Sequence, residues 1–420
     1  MSADPIPLSS EDAAILALES GTIVGHTCKV LVVDSPALGA EGLRAAMAGR
    51  LGAAPELTYR LAGSHEAPAW LPDPQIDLAE QVATLDRDEP LAAEDLPGVV
   101  AERFAQRLPR DRPLWAIDVA ALDDERTALI WRLHHALADG TCAVRLARAV
   151  LFDAASAQPP APGRTAHSDP ADDRRRREHL AAFLEREYAR SRAASPFDAT
   201  VGTRREVRFA DVPLAQLHDA AKRAGATVND AVLACVGGGV SHWLAEHDRA
   251  ARELRVKVPV SLHSEADSAA NRDSFFTVPV PLGGDDPRTR LARVHELTRA
   301  RKAEHDAEEL DSLHRELARI SPRLEALAER IEHSPRRFAL NVSNVPGPRE
   351  PVAVQGARVS AMHTIAEIGE HHALRVAVVS YAGQLCFGLA ADPAVVADLG
   401  ALATGIEAEA RALISAEGGR

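Results

Sequence analysis

Two adjacent histidines stand in the stretch WRLHHALADG, residues 131–140, and are followed after three residues by Asp139 and Gly140. An imidazole has a near-neutral pKa, so a histidine held firmly at the end of a strand is a candidate general base. Successive strand residues point to opposite faces. His134 and His135 therefore do not serve one small site together, and no metal is expected at the pair. A two-histidine, one-carboxylate centre would need another spacing or a distant third ligand. Asp139 falls at the turn into the next helical pattern, where it can cap that helix or anchor the turn by pairing with an arginine. Gly140 allows the tight backbone such a turn needs. The same residues equally suit two histidines satisfied inside a core, with Asp139 as a plain cap.

The later stretch GEHHALRVAVV repeats four letters, but there His371 and His372 precede the apolar run and nothing after them turns the chain. They are expected to be loop residues leading into a strand. Cys142 reads as a small buried side chain rather than a nucleophile. The four cysteines (Cys28, Cys142, Cys235, Cys386) lie far apart, without a Cys-x-x-Cys, which fits reduced thiols in a cytosolic protein better than a disulfide frame or zinc site. A net charge of −13 argues against nucleic acid as a partner. Lysine occurs only at positions 29, 222, 257 and 302. The acidic N-terminal stretch does not read as a signal peptide, and no run is long and apolar enough for a bilayer. A cytoplasmic protein, soluble or at most peripheral at a membrane, is expected.

The elements that must hold these residues alternate. SSEDAAILALES reads as a helix capped by Ser9 or Ser10, HTCKVLVVD as a strand, EGLRAAMAGRLG as a helix ended by Gly52, and LTYRLA as a strand. LPGVVAERFAQRL is helical, RPLWAIDVA and RTALIWRLHH are strands, and TCAVRLARAVLFDAA returns to helical spacing. Residues 1–155 thus form a first unit. Residues 156–200 begin rich in Pro, Asp and Arg, including Arg174 to Arg177, and end in a charged helix, so they read as a solvated linker. Residues 201–420 form a second unit, with the strands REVRFADV, LRVKVPVSL, FFTVPVPL, FALNVSNVPGP, ALRVAVVSY and QLCFGLA and several helices. With 420 residues and mixed elements in both halves, the fold class is α/β, two units packed together.

The motif His134-His135-x-x-x-Asp139-Gly140 resembles that of the chloramphenicol acetyltransferase-like, coenzyme A-dependent acyltransferase superfamily, which includes condensation domains and polyketide-associated acyltransferases. Further stretches narrow the resemblance: Pro113-Leu114-Trp115, Asn229-Asp230 at a helix start, NVSNVPGP with Asn344 in it, VSYAGQLCFGLAADP, and the opening PLSSEDAAILALES. In this order they resemble the bacterial wax ester synthase/diacylglycerol acyltransferase family over nearly the whole chain outside the linker. Ala116, His263 and Ala270 depart from the family pattern, whereas Asn271 keeps it.

The resemblance implies two chloramphenicol acetyltransferase-like subdomains forming a pseudo-dimer with a tunnel between them. His135 would be the general base, Asp139 and Gly140 structural, and His134 would face away into packing. Pro113, Leu114, Trp115, Asn229, Asp230, Asn271 and Asn344 would line the tunnel or touch substrate. Each also has a structural reading: a strand start with a packed indole, a helix cap at Asn229, a rigid turn at SNVPGP. No cofactor is implied, since acyl-coenzyme A is a substrate; the acceptor would be a long-chain alcohol or diacylglycerol. Reversible contact with membranes or lipid droplets follows, helped by Arg174 to Arg177. The alternatives are a carrier-protein-fed condensation-like or polyketide-associated transferase and a catalytically silent lipid-binding member.

Overall fold

The computed structural model describes residues 4–64, 67–73, 75–153, 195–261, 273–283, 286–303 and 338–416. Asn271, Arg174 to Arg177 and the charged helix of the linker lie outside the described residues.

The first half runs β1 (Ile6–Pro7), α1 (Ser10–Ala17), β2 (His26–Val33), α2 (Ala40–Ala48), β3 (Tyr59–Gly63), β4 (Pro68–Pro72), α3 (Leu78–Gln81) and β5 (Val82–Thr84). It continues with α4 (Leu96–Phe104), β6 (Trp115–Ala121), β7 (Thr127–His134) and α5 (Gly140–Val150). The second half runs β8 (Glu206–Pro213), α6 (Leu214–Arg223), α7 (Val228–Glu246), β9 (Glu253–Ser261), β10 (Asp273–Pro281) and α8 (Pro287–Ala303). After it come β11 (Leu340–Pro346), β12 (Ala353–Val354), β13 (Ala357–Ala366), β14 (Leu374–Tyr381), β15 (Gln384–Ala391) and α9 (Leu399–Ser415).

β2 and β7 are buried along their whole length and sit at the centre of one sheet, ordered β12-β13-β2-β7-β6-β5. Both faces of that sheet are covered, which is why these strands read as near-continuous apolar runs. Cys28, Val30 and Val32 join a core shared with the second half, while Leu31 and Val33 join another built with α2, α5 and β6. The second sheet is ordered β10-β9-β11-β14-β15-β8, with β11 parallel to both its neighbours. β1, β4 and β3 make a small third sheet.

The two halves exchange chain. β13, which follows β11 in the second half, pairs antiparallel with β2 of the first, from Val359 opposite Val33 to Ala366 opposite Thr27. Residues 353–366 therefore belong to the first sheet, although they fall within the stretch 201–420 that sequence order assigns to the second unit. On its way β13 crosses β15 so closely that a Cβ at Gly388 would lie 1.9 Å from the Thr364 carbonyl oxygen. Only a glycine fits there. Smaller differences concern helix ends: α2 stops at Ala48 with Gly49 as its C-cap, a turn earlier than Gly52 suggested.

Candidate active site

β7 ends at His134, and a short turn separates it from α5. The backbone of this turn is fully engaged at the histidines. The His134 N–H donates to the Leu114 carbonyl at 2.9 Å, and the His135 N–H donates to the Gly25 carbonyl at 2.8 Å. The N–H groups of Leu137 and Ala138 then donate to the His134 carbonyl at 2.9 and 3.2 Å. Asp139 is the N-cap of α5: its Oδ1 accepts from the Cys142 N–H at 2.6 Å, satisfying one of the donors a helix start leaves open. Its charge acts on Lys29, from the middle of β2.

Gly140 owes its identity to a close approach more than to its own backbone freedom. A Cβ there would lie 2.9 Å from Val345 Cγ2, so the start of α5 packs directly on β11 of the other sheet. That contact fixes how near the turn carrying His135 comes to the second half.

The two histidines have different surroundings. His134 is buried and polar on both sides of its ring. Nδ1 accepts from the Ala136 N–H at 3.1 Å, which leaves Nε2 to donate to Glu19 Oε1 at 2.7 Å. Glu19 also pairs with Arg107 and, at 2.7 Å, with Arg110. Burial by itself would raise the Glu19 carboxyl, but the bonds from His134 and Arg110 prevail and hold it down at about 2. His134 is thus buried and clamped in one tautomer by the Glu19 anchor.

His135 keeps some accessible surface. Burial pushes its imidazole down to about 3, helped by the nearby charge of Arg375 and opposed by a hydrogen bond to its own backbone carbonyl. The ring is therefore neutral at any ordinary pH. Arg375 comes from β14, and its register partner Asn341 from β11 lies on the same face. Burial lowers the Arg375 guanidinium to about 10, with the charge of Glu367 working the other way. Glu367 in turn accepts from Arg205 Nε at 2.8 Å and from the Val24 N–H at 3.3 Å. This acid ties the second half to the loop whose Gly25 holds His135. On the opposite flank Lys29 Nζ donates to Thr364 Oγ1 at 2.6 Å, and burial lowers it to about 8 against the pull of Asp139.

A narrow apolar cavity adjoins this group, bounded by Leu31, Trp131, Ala147, Phe152, Val345 and Val379, with Lys29 at its edge. It lies where α5 and the first sheet meet the ends of β11 and β14.

The remaining sequence-derived residues are placed as follows. Pro113 offers its carbonyl to the buried Gln81 amide at 3.0 Å, Leu114 accepts from His134 as above, and the Trp115 indole N–H donates to the Leu57 carbonyl at 2.7 Å inside the core. These three brace β7 from behind. Asp230 belongs to a capping box whose N-cap is Thr227, not Asn229, and it also accepts from Thr298 at 2.6 Å and pairs with His295 at 2.9 Å, tying α7 to α8. Asn229 is half-buried in the first turn of α7. Asn344 neighbours Val345, which faces Gly140; strand alternation therefore turns it to the other side of β11, and Asn341 takes the face shared with Arg375. The structure thus gathers His135, Asp139 and Gly140 with Lys29, Arg375 and Val345, and leaves Trp115 and Asp230 in supporting networks. The signal for Lys29 and Arg375 was present: each interrupts an apolar strand, HTCKVLVV or LRVAVVSY, with a cation that a purely structural strand has no use for.

Comparison with known proteins gives this arrangement its class and then its family. Among solved structures the chain is similar to the wax ester synthase/diacylglycerol acyltransferase of Marinobacter aquaeolei VT8, with TM-score 0.72, 22% identity, and 97% of this chain and 98% of that one covered. It is similar as well to the first condensation domain of the CDA synthetase, with TM-score 0.61, 19% identity and coverage of 99% and 96%. The fold is thus that of the two-lobed, chloramphenicol acetyltransferase-like proteins. The profile of the wax ester synthase/diacylglycerol acyltransferase catalytic domain matches residues 8–189 and 169–232, and that of the WS/DGAT C-terminal domain matches residues 269–413. The probable diacylglycerol O-acyltransferase tgs1 of Mycobacterium tuberculosis is 32% identical over 410 residues, covering 90% of this chain and 88% of the relative. The probable diacylglycerol O-acyltransferase tgs2 of the same organism is 30% identical over 353 residues, covering 76% and 78%. The chain belongs to the wax ester synthase/diacylglycerol acyltransferase family, and it is an acyltransferase.

Proposed function

We propose that this protein moves a fatty acyl group from acyl-coenzyme A to the hydroxyl of a long-chain alcohol or a diacylglycerol, giving a wax ester or a triacylglycerol. The observation that carries the reading is the neutral imidazole of His135, held at the end of β7 opposite the Arg375 guanidinium. We assign the base role to this imidazole, which also bonds to the residue's own carbonyl. It takes the proton of the acceptor hydroxyl as that oxygen attacks the thioester carbon. The tetrahedral oxyanion then collapses, the C–S bond breaks, and the imidazolium returns its proton to the coenzyme A thiolate. No acyl-enzyme and no cofactor are needed, because both substrates meet at the base.

Arg375 serves this sequence twice. It adds to the burial that keeps the resting imidazole unprotonated, and it offers positive charge to the developing oxyanion, where loss of one such donor typically costs about 3 kcal/mol of barrier. Asp139, Gly140, His134 and Glu19 position the turn. Residues 1–155, completed by the strands of 353–366, and the rest of 201–420 act as the two acyltransferase subdomains, with 156–200 joining them.

The protein works in the cytoplasm, and its acceptors live in lipid, so we propose reversible contact with membranes or lipid inclusions. Among the described residues no helix is long and apolar enough to cross a membrane, and the exposed large apolar side chains are Ile6 and Leu18. Liposome flotation tests this contact: weak association is expected, and none at all would remove it.

The reaction is tested by incubating purified protein with acyl-coenzyme A donors of several chain lengths and a panel of alcohols, diacylglycerols and amines. Free thiol and lipid product should appear in equal amounts with the lipid alcohols. Product only with soluble amines, or thiol release without ester, would overturn the assignment.

A further inference from the structure

Away from His135, three side chains of different chemistry converge where β13 crosses the second sheet. Asp211 on β8 and Cys386 on β15 are direct cross-strand partners. His363 reaches them from β13, the strand lent to the first sheet. Its Nε2 lies 3.1 Å from Asp211 Oδ1, and one ligand atom from each of the three residues lies within 4.8 Å of the other two. His363 and Cys386 are buried and Asp211 is half-exposed, so the cluster opens to solvent on the carboxylate side. The imidazole is also stacked on Phe209, with centroids 4.2 Å apart, which holds its orientation.

We infer that Asp211, His363 and Cys386 form a binding site for one zinc-class divalent cation. A thiolate, an imidazole and a carboxylate are the donor set that zinc takes, and three protein ligands with an open fourth position for water make a complete tetrahedron. Zinc bond lengths of about 2.3 Å to sulfur and about 2.0 Å to nitrogen or oxygen put ligand atoms roughly 3.3–3.5 Å apart. With the ligand atoms within 4.8 Å of one another, closing the present cluster on an ion needs up to about 1.5 Å of contraction on that same scale. Charge balances too, because a carboxylate and a thiolate neutralise the dication. Without metal, burial and the Asp211 charge keep Cys386 as a thiol. Binding breaks its S–H bond, forms the metal–sulfur bond and releases one proton to solvent.

The site lies apart from the acyl-transfer machinery. His363 and Thr364 are adjacent on β13 and face opposite ways, and Thr364 is the residue that binds Lys29. The ion would pin β13 to β8 and β15 just where Gly388 brings the two backbones together. Its effect is to fasten the strand exchanged between the halves.

The full-length protein, stripped with a chelator, is titrated with cobalt(II) and then zinc. The expected result is one cobalt per chain with a thiolate-to-cobalt charge-transfer band, displacement of that band by zinc, release of one proton per ion, and a higher melting temperature. Cys386→Ser and His363→Gln should abolish the band. Asp211→Asn, at a half-exposed position where the fold tolerates an isosteric change, should weaken binding at least about tenfold. Absence of the band in folded wild-type protein, its survival in Cys386→Ser, or unchanged affinity in Asp211→Asn would overturn the site.

Discussion

Replacing Gly140 by alanine tests how closely the two halves must approach for the base to work. The added Cβ would stand 2.9 Å from Val345 Cγ2. Carbon atoms pack comfortably at about 3.5–4.0 Å, so roughly 0.6–1 Å must open between α5 and β11. Val345 is β-branched and stiff at χ1, so it does not swing aside cheaply. Overpacking of this kind costs about 1–3 kcal/mol, of which the better helix propensity of alanine returns up to about 1 kcal/mol. The kinetic effect should exceed the effect on stability. The turn that moves carries His135 and the groups across the gap include Arg375, and a misplacement near 1 Å costs on the order of 10²-fold in rate. Thermal melting and steady-state ester formation are measured for Gly140→Ala, Val345→Ala and the double variant. Removing Cγ2 in the double variant should restore room and recover part of both losses, giving a coupling of about 1 kcal/mol or more. Unchanged rate in Gly140→Ala, or strictly additive losses in the double variant, would refute the close-packing argument.

Two further outcomes follow from the charges around the histidines. Arg375→Met should lower ester formation by about 10²–10³-fold if its guanidinium supports the oxyanion; removing that cation also raises the His135 pKa, so a decline in rate toward low pH should emerge that wild type, whose imidazole is neutral down to about 3, lacks over the same range. Equal pH profiles for the two proteins would contradict the electrostatic coupling. The Glu19 carboxyl lies at about 2 when folded, against 4.5 ordinarily, so its stabilisation is fully present above that ordinary value and is lost as pH falls through the folded one. Glu19→Gln should therefore cost about 2–3 kcal/mol near neutral pH, with the gap from wild type closing toward pH 2 in denaturant titrations; a gap independent of pH would contradict the ionic anchor.

The parts of this molecule legible in its sequence are those governed by local pattern. β2 and β7 announce themselves because strands buried on both faces must be apolar throughout. Asp139 as a cap follows from its place between strand and helix. What escaped depends on partners far away in the chain. β13 carries Ser360, His363 and Thr364 among its apolar residues and shifts register between Val359 and Ala361, so it shows no clean alternation, and its partner β2 lies more than 300 residues earlier. The reason for Gly140 is Val345, which no local reading can supply. Asn229 reads as the cap because an asparagine stands at the helix start, but Thr227 and Asp230 have the spacing at which a side chain and a backbone N–H satisfy one another in both directions. The Glu19 anchor of His134 likewise joins residues 115 apart.

The most direct measurement of the proposed chemistry is the rate of ester formation from acyl-coenzyme A and a lipid alcohol by His135→Gln, at a folded fraction and acyl-coenzyme A affinity matched to wild type. A general base at this position predicts a fall of about 10²–10⁴-fold. A variant that folds, binds the donor and turns over at the wild-type rate would contradict the role assigned to His135.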